Sequence, residues 1–226
     1  IYGEDGEDKW TQLGLTLIVE SNEDEGNNNE EGNIPRIGKD VTLSYGVSYG
    51  TVVSFRTESR VSTAQYKNGI WSTLGSDILV RNRIISSSLD ELVIAMCGYS
   101  EEAYIFEHIV GEASWQQRGQ IIEHQGQCDS LSLSGNGNVI AIGDQSQEGR
   151  VQVYDFQPST RVWVKNRRDI IGEEGETQHL GSSISLSADG TILAVAANGH
   201  DGVDYSSMSA QPLTDSGTVR VYHYNN

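Results

Sequence analysis

The sequence predicts an all-β protein, a β-propeller of four-stranded antiparallel blades, with four blades in this chain. Three observations carry that expectation. A tryptophan recurs at Trp10, Trp71, Trp115 and Trp163. Residues 129–143 and 182–196 align without a gap. A Val-x-Val-Tyr strand follows each of these two segments, at Val151–Tyr154 and Val219–Tyr222. Four strand signals per repeat of roughly 45–60 residues, with no useful helical periodicity, is the pattern of propeller blades.

The inner part of each blade reads most clearly in the later copies. DSLSLSGNGNVIAIG at 129–143 and SSISLSADGTILAVA at 182–196 each combine an alternating strand, a tight polar turn and an apolar strand. Asn136-Gly137 and Asp189-Gly190 are hairpin signals, because these residue types tolerate positive φ. RIISSSLDELVIAMC at 83–97 fits the same frame, and Val41–Ser44 with Val52–Phe55 is a degenerate copy. The third strand has looser versions at Ala103–Phe106 and Val61–Tyr66. The fourth strand begins at each tryptophan, and an aliphatic residue lies seven positions later: Leu17, Ile78, Ile122 and Ile170.

This order predicts a single propeller domain over 1–226, with blades at about 37–79, 83–122, 129–170 and 181–224. The fourth blade has no Trp strand after it, and the chain has a spare one at 10–18. Placing that strand on the fourth blade would close the ring and remove open sheet edges. The competing expectation is a window from a longer array of six to eight blades. Residues 20–34 read as an acidic flexible insertion.

Composition excludes several roles. The 226 residues carry a formal charge of −17, which opposes nucleic-acid and anionic-lipid binding because both need clustered Lys and Arg. The apolar runs are too short to insert in a membrane. No signal peptide is visible, and a start at Ile1 leaves room for a removed leader or a missing upstream segment. Strong acidity and sparse cysteine leave the compartment open, with the cell exterior or an organelle lumen slightly favoured.

The segment Leu180–Ala197, followed by Ser216–Tyr222 and preceded by Trp163, resembles the FG-GAP repeats of integrin-α-like β-propellers. The resemblance extends over most of the chain as four copies and is best in the last two. It implies a propeller fold and a role in protein interaction or adhesion. The name-giving Phe-Gly is Leu180-Gly181 here and Gln127-Cys128 one copy earlier. The Gly-Ala-Pro is Ala196–Asn198 and Gly143–Gln145. Calcium-binding members carry an Asp-x-Asp-x-Asp-Gly loop. Here that loop is Ser187–Gly190 or Ser134–Gly137, with too few carboxylates for six to eight oxygen ligands, so the calcium site does not carry over.

Few residues signal chemistry. Trp10, Trp71, Trp115 and Trp163 are expected to be structural, filling wedges between sheets. His108, His124, His179, His200 and His223 lack zinc-site spacing. Cys97 and Cys128 fit either two buried thiols or a disulfide across adjacent blades. The alternating Ser132, Ser134, Ser185 and Ser187 face either the central channel and neighbouring strands or a small polar ligand. No nucleophile elbow and no repeated carboxylate pair occurs. The expectation is therefore a non-catalytic scaffold or protein-binding module without metal or cofactor, whose partners are other proteins. The alternative is a cell-surface carbohydrate- or cation-binding module, with weak divalent-cation binding at acidic loops such as 4–8 and 20–31. The partner-binding face is expected at the insertion 198–216, through His200, Asp201, Asp204, Tyr205 and Asp215.

Overall fold

The computed structural model describes residues 11–13, 40–46, 48–57, 60–79, 84–89, 92–98, 100–173, 178–204, 211–213 and 216–225. Among these residues every regular element is a strand. Blade 1 is a sheet of β1 (Asp40–Gly46), β2 (Gly50–Arg56), β3 (Val61–Lys67) and β4 (Ile70–Thr73), in that order. Blade 2 orders β5 (Ile84–Ser87), β6 (Val93–Cys97), β7 (Glu102–His108) and β8 (Trp115–Gln117), with β9 (Ile122–Glu123) also on β7. Blade 3 repeats this with β10 (Ser130–Leu133), β11 (Val139–Asp144), β12 (Arg150–Gln157), β13 (Val162–Val164) and β14 (Ile170–Ile171) on β12. Blade 4 pairs β15 (Leu180–Leu186), β16 (Ile192–Ala197) and β19 (Thr218–His223). Between β16 and β19 a separate hairpin joins β17 (Gly202–Asp204) to β18 (Gln211–Leu213). All these pairings are antiparallel, and the molecule is a β-propeller of stacked blades.

The sequence pattern explains each strand. In the middle blades the second strand has neighbouring blades on both faces, so β6, Val-Ile-Ala-Met-Cys, is buried throughout and reads as an unbroken apolar run. The hairpin between first and second strands is closed by a serine. Ser88, Ser134 and Ser187 accept the N–H of Val93, Val139 and Ile192 at 3.1, 2.9 and 2.9 Å. Asn136 and Asp189 complete the turn by accepting the N–H two residues on, each at 3.0 Å. Gly137 follows at φ +68°, and a Cβ there would lie 2.9 Å from Val93 of the previous blade. A larger residue at 137 would thus strain the turn and push two blades apart.

The outer strand is broken in two. In blade 2, β8 pairs with one end of β7 and β9 with the other. In blade 3, β13 and β14 divide β12 in the same way. Blade 1 does this with β4 and an isolated bridge from Ile78 to Val61. The tryptophan opens the first half and the aliphatic residue seven positions later sits in the second. This is the physical meaning of that spacing.

The core lies between blades rather than within one. Val52, Val61 and Ile78 of blade 1 pack on Ile85, Ile94, Met96 and Trp115 of blade 2. Val93, Ala95, Ala103 and Ile105 of blade 2 pack on Leu131, Leu133, Ile140 and Trp163 of blade 3. Val139, Val151 and Val153 of blade 3 pack on Leu193 and Val195 of blade 4. Each blade therefore has a leading face that covers the next blade's trailing face.

Candidate interaction surfaces

The second and third joints share one inner-ring bond, the first replaces it with another, and all three share a ladder at the hairpin tips. In the inner ring, Leu133 N–H of blade 3 donates to Ser86 Oγ of blade 2 at 3.0 Å, and Leu186 N–H of blade 4 donates to Ser132 Oγ of blade 3 at 2.9 Å. Between blades 1 and 2 the acceptor is Asp40 Oδ2, which takes Ile85 N–H at 2.8 Å. The hairpin tips form a second ladder: Tyr45 N–H to Leu89 O, Leu89 N–H to Gly135 O, and Asn136 N–H to Ala188 O. Ser86, Ser132, Ser134 and Ser187 are thus engaged by neighbouring strands and turns.

The tryptophans lock the outer rim. Trp163 Nε1 donates to Arg118 O of the preceding blade at 2.8 Å, and a Cβ on Gly119 would meet the indole at 2.8 Å. Trp115 Nε1 donates to Thr63 Oγ1 at 3.3 Å and presses on Gly75 in the same manner. Trp71 is half-buried, and its Nε1 donates to Leu13 O at 2.7 Å. Leu13 lies in Trp10-Thr-Gln-Leu-Gly as Arg118 lies in Trp115-Gln-Gln-Arg-Gly. Residues 11–13 therefore stand beside blade 1 where the outer strand of a preceding blade belongs. Trp10 and residues 14–18 lie outside the described residues.

Cys97 and Cys128 form a disulfide. It ties the end of β6 in blade 2 to the segment leading into blade 3, which resolves the choice between thiols and a bridge.

At both ends of the series a blade face is uncovered. On blade 1, Val41 and Leu43 are 62% and 63% exposed, whereas Leu131 and Leu133 at the same trailing positions of blade 3 are 9% and 6%. On blade 4, Val219 and Val221 are 66% and 68% exposed, whereas their counterparts Val151 and Val153 are 0% and 3%. Ile192 is likewise exposed where Val93 and Val139 are buried. The sequence does not single out these residues, because the same pattern is core wherever a neighbouring blade follows.

The insertion singled out by sequence is anchored at its base. His200 O accepts Gly217 N–H at 3.0 Å and Ser216 Oγ at 3.3 Å. His200 is half-buried and Asp201 exposed. Asp204 ends β17. Tyr205 and Asp215 lie outside the described residues, as do the acidic stretches 4–8 and 20–34. Among the described residues no group of three His, Cys, Asp or Glu side chains is placed to hold a metal ion.

Two histidines are buried. His108 packs edge-on against Tyr49 and Trp115, and burial pushes its pKa down. Burial also pushes His124 down, while a backbone hydrogen bond at Gln125 and the charges of Glu101 and Asp144 oppose that shift. Asp189 is held at a pKa of about 2 by hydrogen bonds from Ser187 and Thr191 within its turn.

No protein-family model matches the chain. The meiotic recombination protein rec14 of Schizosaccharomyces pombe is 28% identical over 78 residues, which is 34% of this chain and 24% of that protein. Among solved structures, KlHsv2 with loop 6CD replaced by a Gly-Ser linker aligns with a TM-score of 0.48 at 15% identity, covering 78% of this chain and 50% of that one. Kuenenia stuttgartiensis hydrazine synthase aligns with a TM-score of 0.48 at 13% identity, covering 80% and 48%. The chain thus spans about half of these structures and a quarter of the curated relative. The fold assignment rests on its own strand order and repeated joints.

Proposed function

We propose that the chain is a non-catalytic β-propeller module that holds other polypeptides, as a scaffold, a subunit of a larger assembly or a part of an adhesion protein. The observation that carries this reading is the pair of uncovered apolar blade faces, at Val41 and Leu43 on one end and at Ile192, Val219 and Val221 on the other. Contiguous exposed apolar residues on a soluble scaffold mark interaction sites. The resemblance to FG-GAP blades supports the finer reading of an adhesion-type propeller. The disulfide supports an oxidising compartment, hence the cell exterior or an organelle lumen.

The test is gentle isolation from the source followed by native sizing and cross-linking. The reading predicts a species well above the mass of one chain, with cross-links between another polypeptide and residues 40–46 or 218–223. A species of one chain without such cross-links contradicts it.

A further inference from the structure

We propose that Asn68 is a modification site: its side chain closes on the backbone of Gly69 and converts, without an enzyme, to aspartate and isoaspartate, and the isoaspartyl form unfastens the outer strand of blade 1.

The chemistry is that of an Asn-Gly step. The backbone nitrogen of the glycine attacks Cγ of the asparagine side chain. A new N–Cγ bond closes a succinimide ring. The side-chain nitrogen leaves as ammonia, carrying the proton that the backbone amide gives up. Water then opens the ring. Cleavage of the new N–Cγ bond leaves aspartate, whereas cleavage of the original peptide bond leaves isoaspartate, in which the chain runs on through the side chain. Water is the only co-reactant, and no oxidant or reductant is needed. Glycine permits the attack because no Cβ shields its nitrogen. The nitrogen must also be unbonded, and the asparagine side chain must be able to turn onto it.

The chain contains three Asn-Gly steps, Asn68-Gly69, Asn136-Gly137 and Asn198-Gly199, and the fold separates them. At the second, Gly137 N–H donates to Ser134 O at 2.9 Å, and Asn136 Oδ1 accepts from Ser134 Oγ at 2.8 Å and from Asn138 N–H at 3.0 Å. At the third, Gly199 N–H donates at 3.1 Å to the carbonyl of Gln178, a fully buried residue. The first has no such lock. Asn68 and Gly69 are the central residues of the β3–β4 hairpin, at φ +54° and +85°, in a type I′ turn between the paired Lys67 and Ile70. Residues 67–70 are exposed. Among the described residues neither the Asn68 side chain nor the Gly69 N–H has a hydrogen-bond partner, and a Cβ on Gly69 would meet nothing within 4 Å.

The hairpin sets the consequence. Its two-residue loop fixes the register that pairs Tyr66 with Trp71 and Ala64 with Thr73. Isoaspartate adds a backbone carbon to that loop, so the type I′ turn and the register it imposes are lost. β4 is the outermost strand of its blade and is exposed or half-buried along its length. Its release would draw Trp71 away from the Tyr66 ring, now 5.1 Å distant, and from Leu13 O. Aspartate keeps the turn, because it tolerates positive φ as asparagine does.

The test is peptide mapping by mass spectrometry, resolving aspartyl from isoaspartyl peptides, on the whole chain aged in warm neutral buffer. One sample is folded and another is unfolded in urea with reductant. Folded, Asn68 should exchange NH2 for OH at least about tenfold faster than Asn136 or Asn198, since each bond that must first break slows ring closure by up to about tenfold. Unfolded, the three steps should react at similar rates. Equal rates at the three steps in the folded chain, or a faster reaction at Asn136 or Asn198, would overturn the site. Amide exchange tests the consequence. The aged parent should gain a fast-exchanging population in residues 64–73. Aged Asn68→Gly, which keeps a turn that glycine favours but lacks the reacting amide, and Asn68→Asp before ageing should not. Isoaspartate at 68 without that population would overturn the unfastening.

Discussion

Arg118 ties two blades together through four contacts. Its carbonyl takes the Trp163 indole, its guanidinium bonds Glu107 Oε2 and Asn138 Oδ1, each at 2.7 Å, and its plane lies 4.2 Å over the Phe156 ring. Both charges of the Arg118–Glu107 pair are largely buried. Arg118→Ala should therefore cost about 3 kcal/mol in urea unfolding, as expected when one partner of a buried pair is removed. Glu107 also predicts a pH effect. Burial pushes its carboxyl up, but hydrogen bonds from Arg161 and Arg118 outweigh this and leave it below its ordinary 4.5. A depressed carboxyl stabilises the fold fully above that ordinary value and loses the contribution as pH falls through the lower folded one. Glu107→Gln should flatten the acid limb of stability below about pH 4.5. His108 and His124 are depressed by burial, so the fold binds fewer protons than the unfolded chain. Their contribution is complete above the ordinary histidine value of 6.5 and declines below it. His124→Gln should remove part of the stability loss between about pH 6.5 and 5, measured by melting temperature across buffers. At this scale the sequence revealed types but not partners. Isolated histidines and a lone Arg look alike in sequence whether they face water or a neighbouring blade.

The broken outer strand is the element that joins blades, and its glycine is the weak point. Gly119 has φ +79°, and a Cβ there would meet Trp163 Cδ1 at 2.8 Å. Gly119→Ala should cost about 1–3 kcal/mol and alter tryptophan fluorescence, because the indole must leave its seat on the preceding blade. The Cys97–Cys128 bridge closes a separation of 31 residues across the second joint. Loop-closure entropy predicts that reduction, or the Cys97→Ala, Cys128→Ala double variant, lowers stability by roughly 3–4 kcal/mol. Thermal unfolding with and without reductant checks this; unchanged melting would mean the joint holds equally well without the bond. Strand identity was legible here because period-2 alternation, Asn-Gly turns and the Trp-to-aliphatic spacing are all local. The serine stitches were not, because each depends on a partner 47 or 54 residues away, whereas the Cys97–Cys128 bridge was one of the two readings the sequence offered.

At the scale of the whole molecule, the stacking of blades decides which faces become core. The repeat made the propeller class readable from sequence. Whether a face is core or surface was not readable, since Val219 and Val221 have the same pattern as Val151 and Val153. Only the count of neighbours separates them. Net charge adds a consequence for assembly. At −17 per chain, two copies repel at long range, and salt screens that repulsion over a Debye length of about 10 Å at 0.1 M. Any self-association of the chain should therefore strengthen from low to physiological salt, opposite to an association driven by surface ion pairs.

Amide hydrogen exchange on the assembly isolated from its source, compared with the purified chain, tests the central claim most directly. If another polypeptide holds the open blade faces, amides of β1 and β19 are protected in the assembly and not in the purified chain, while those of β10 and β12, already inside a joint, do not change. Equally fast exchange in β1 and β19 in both would contradict the claim.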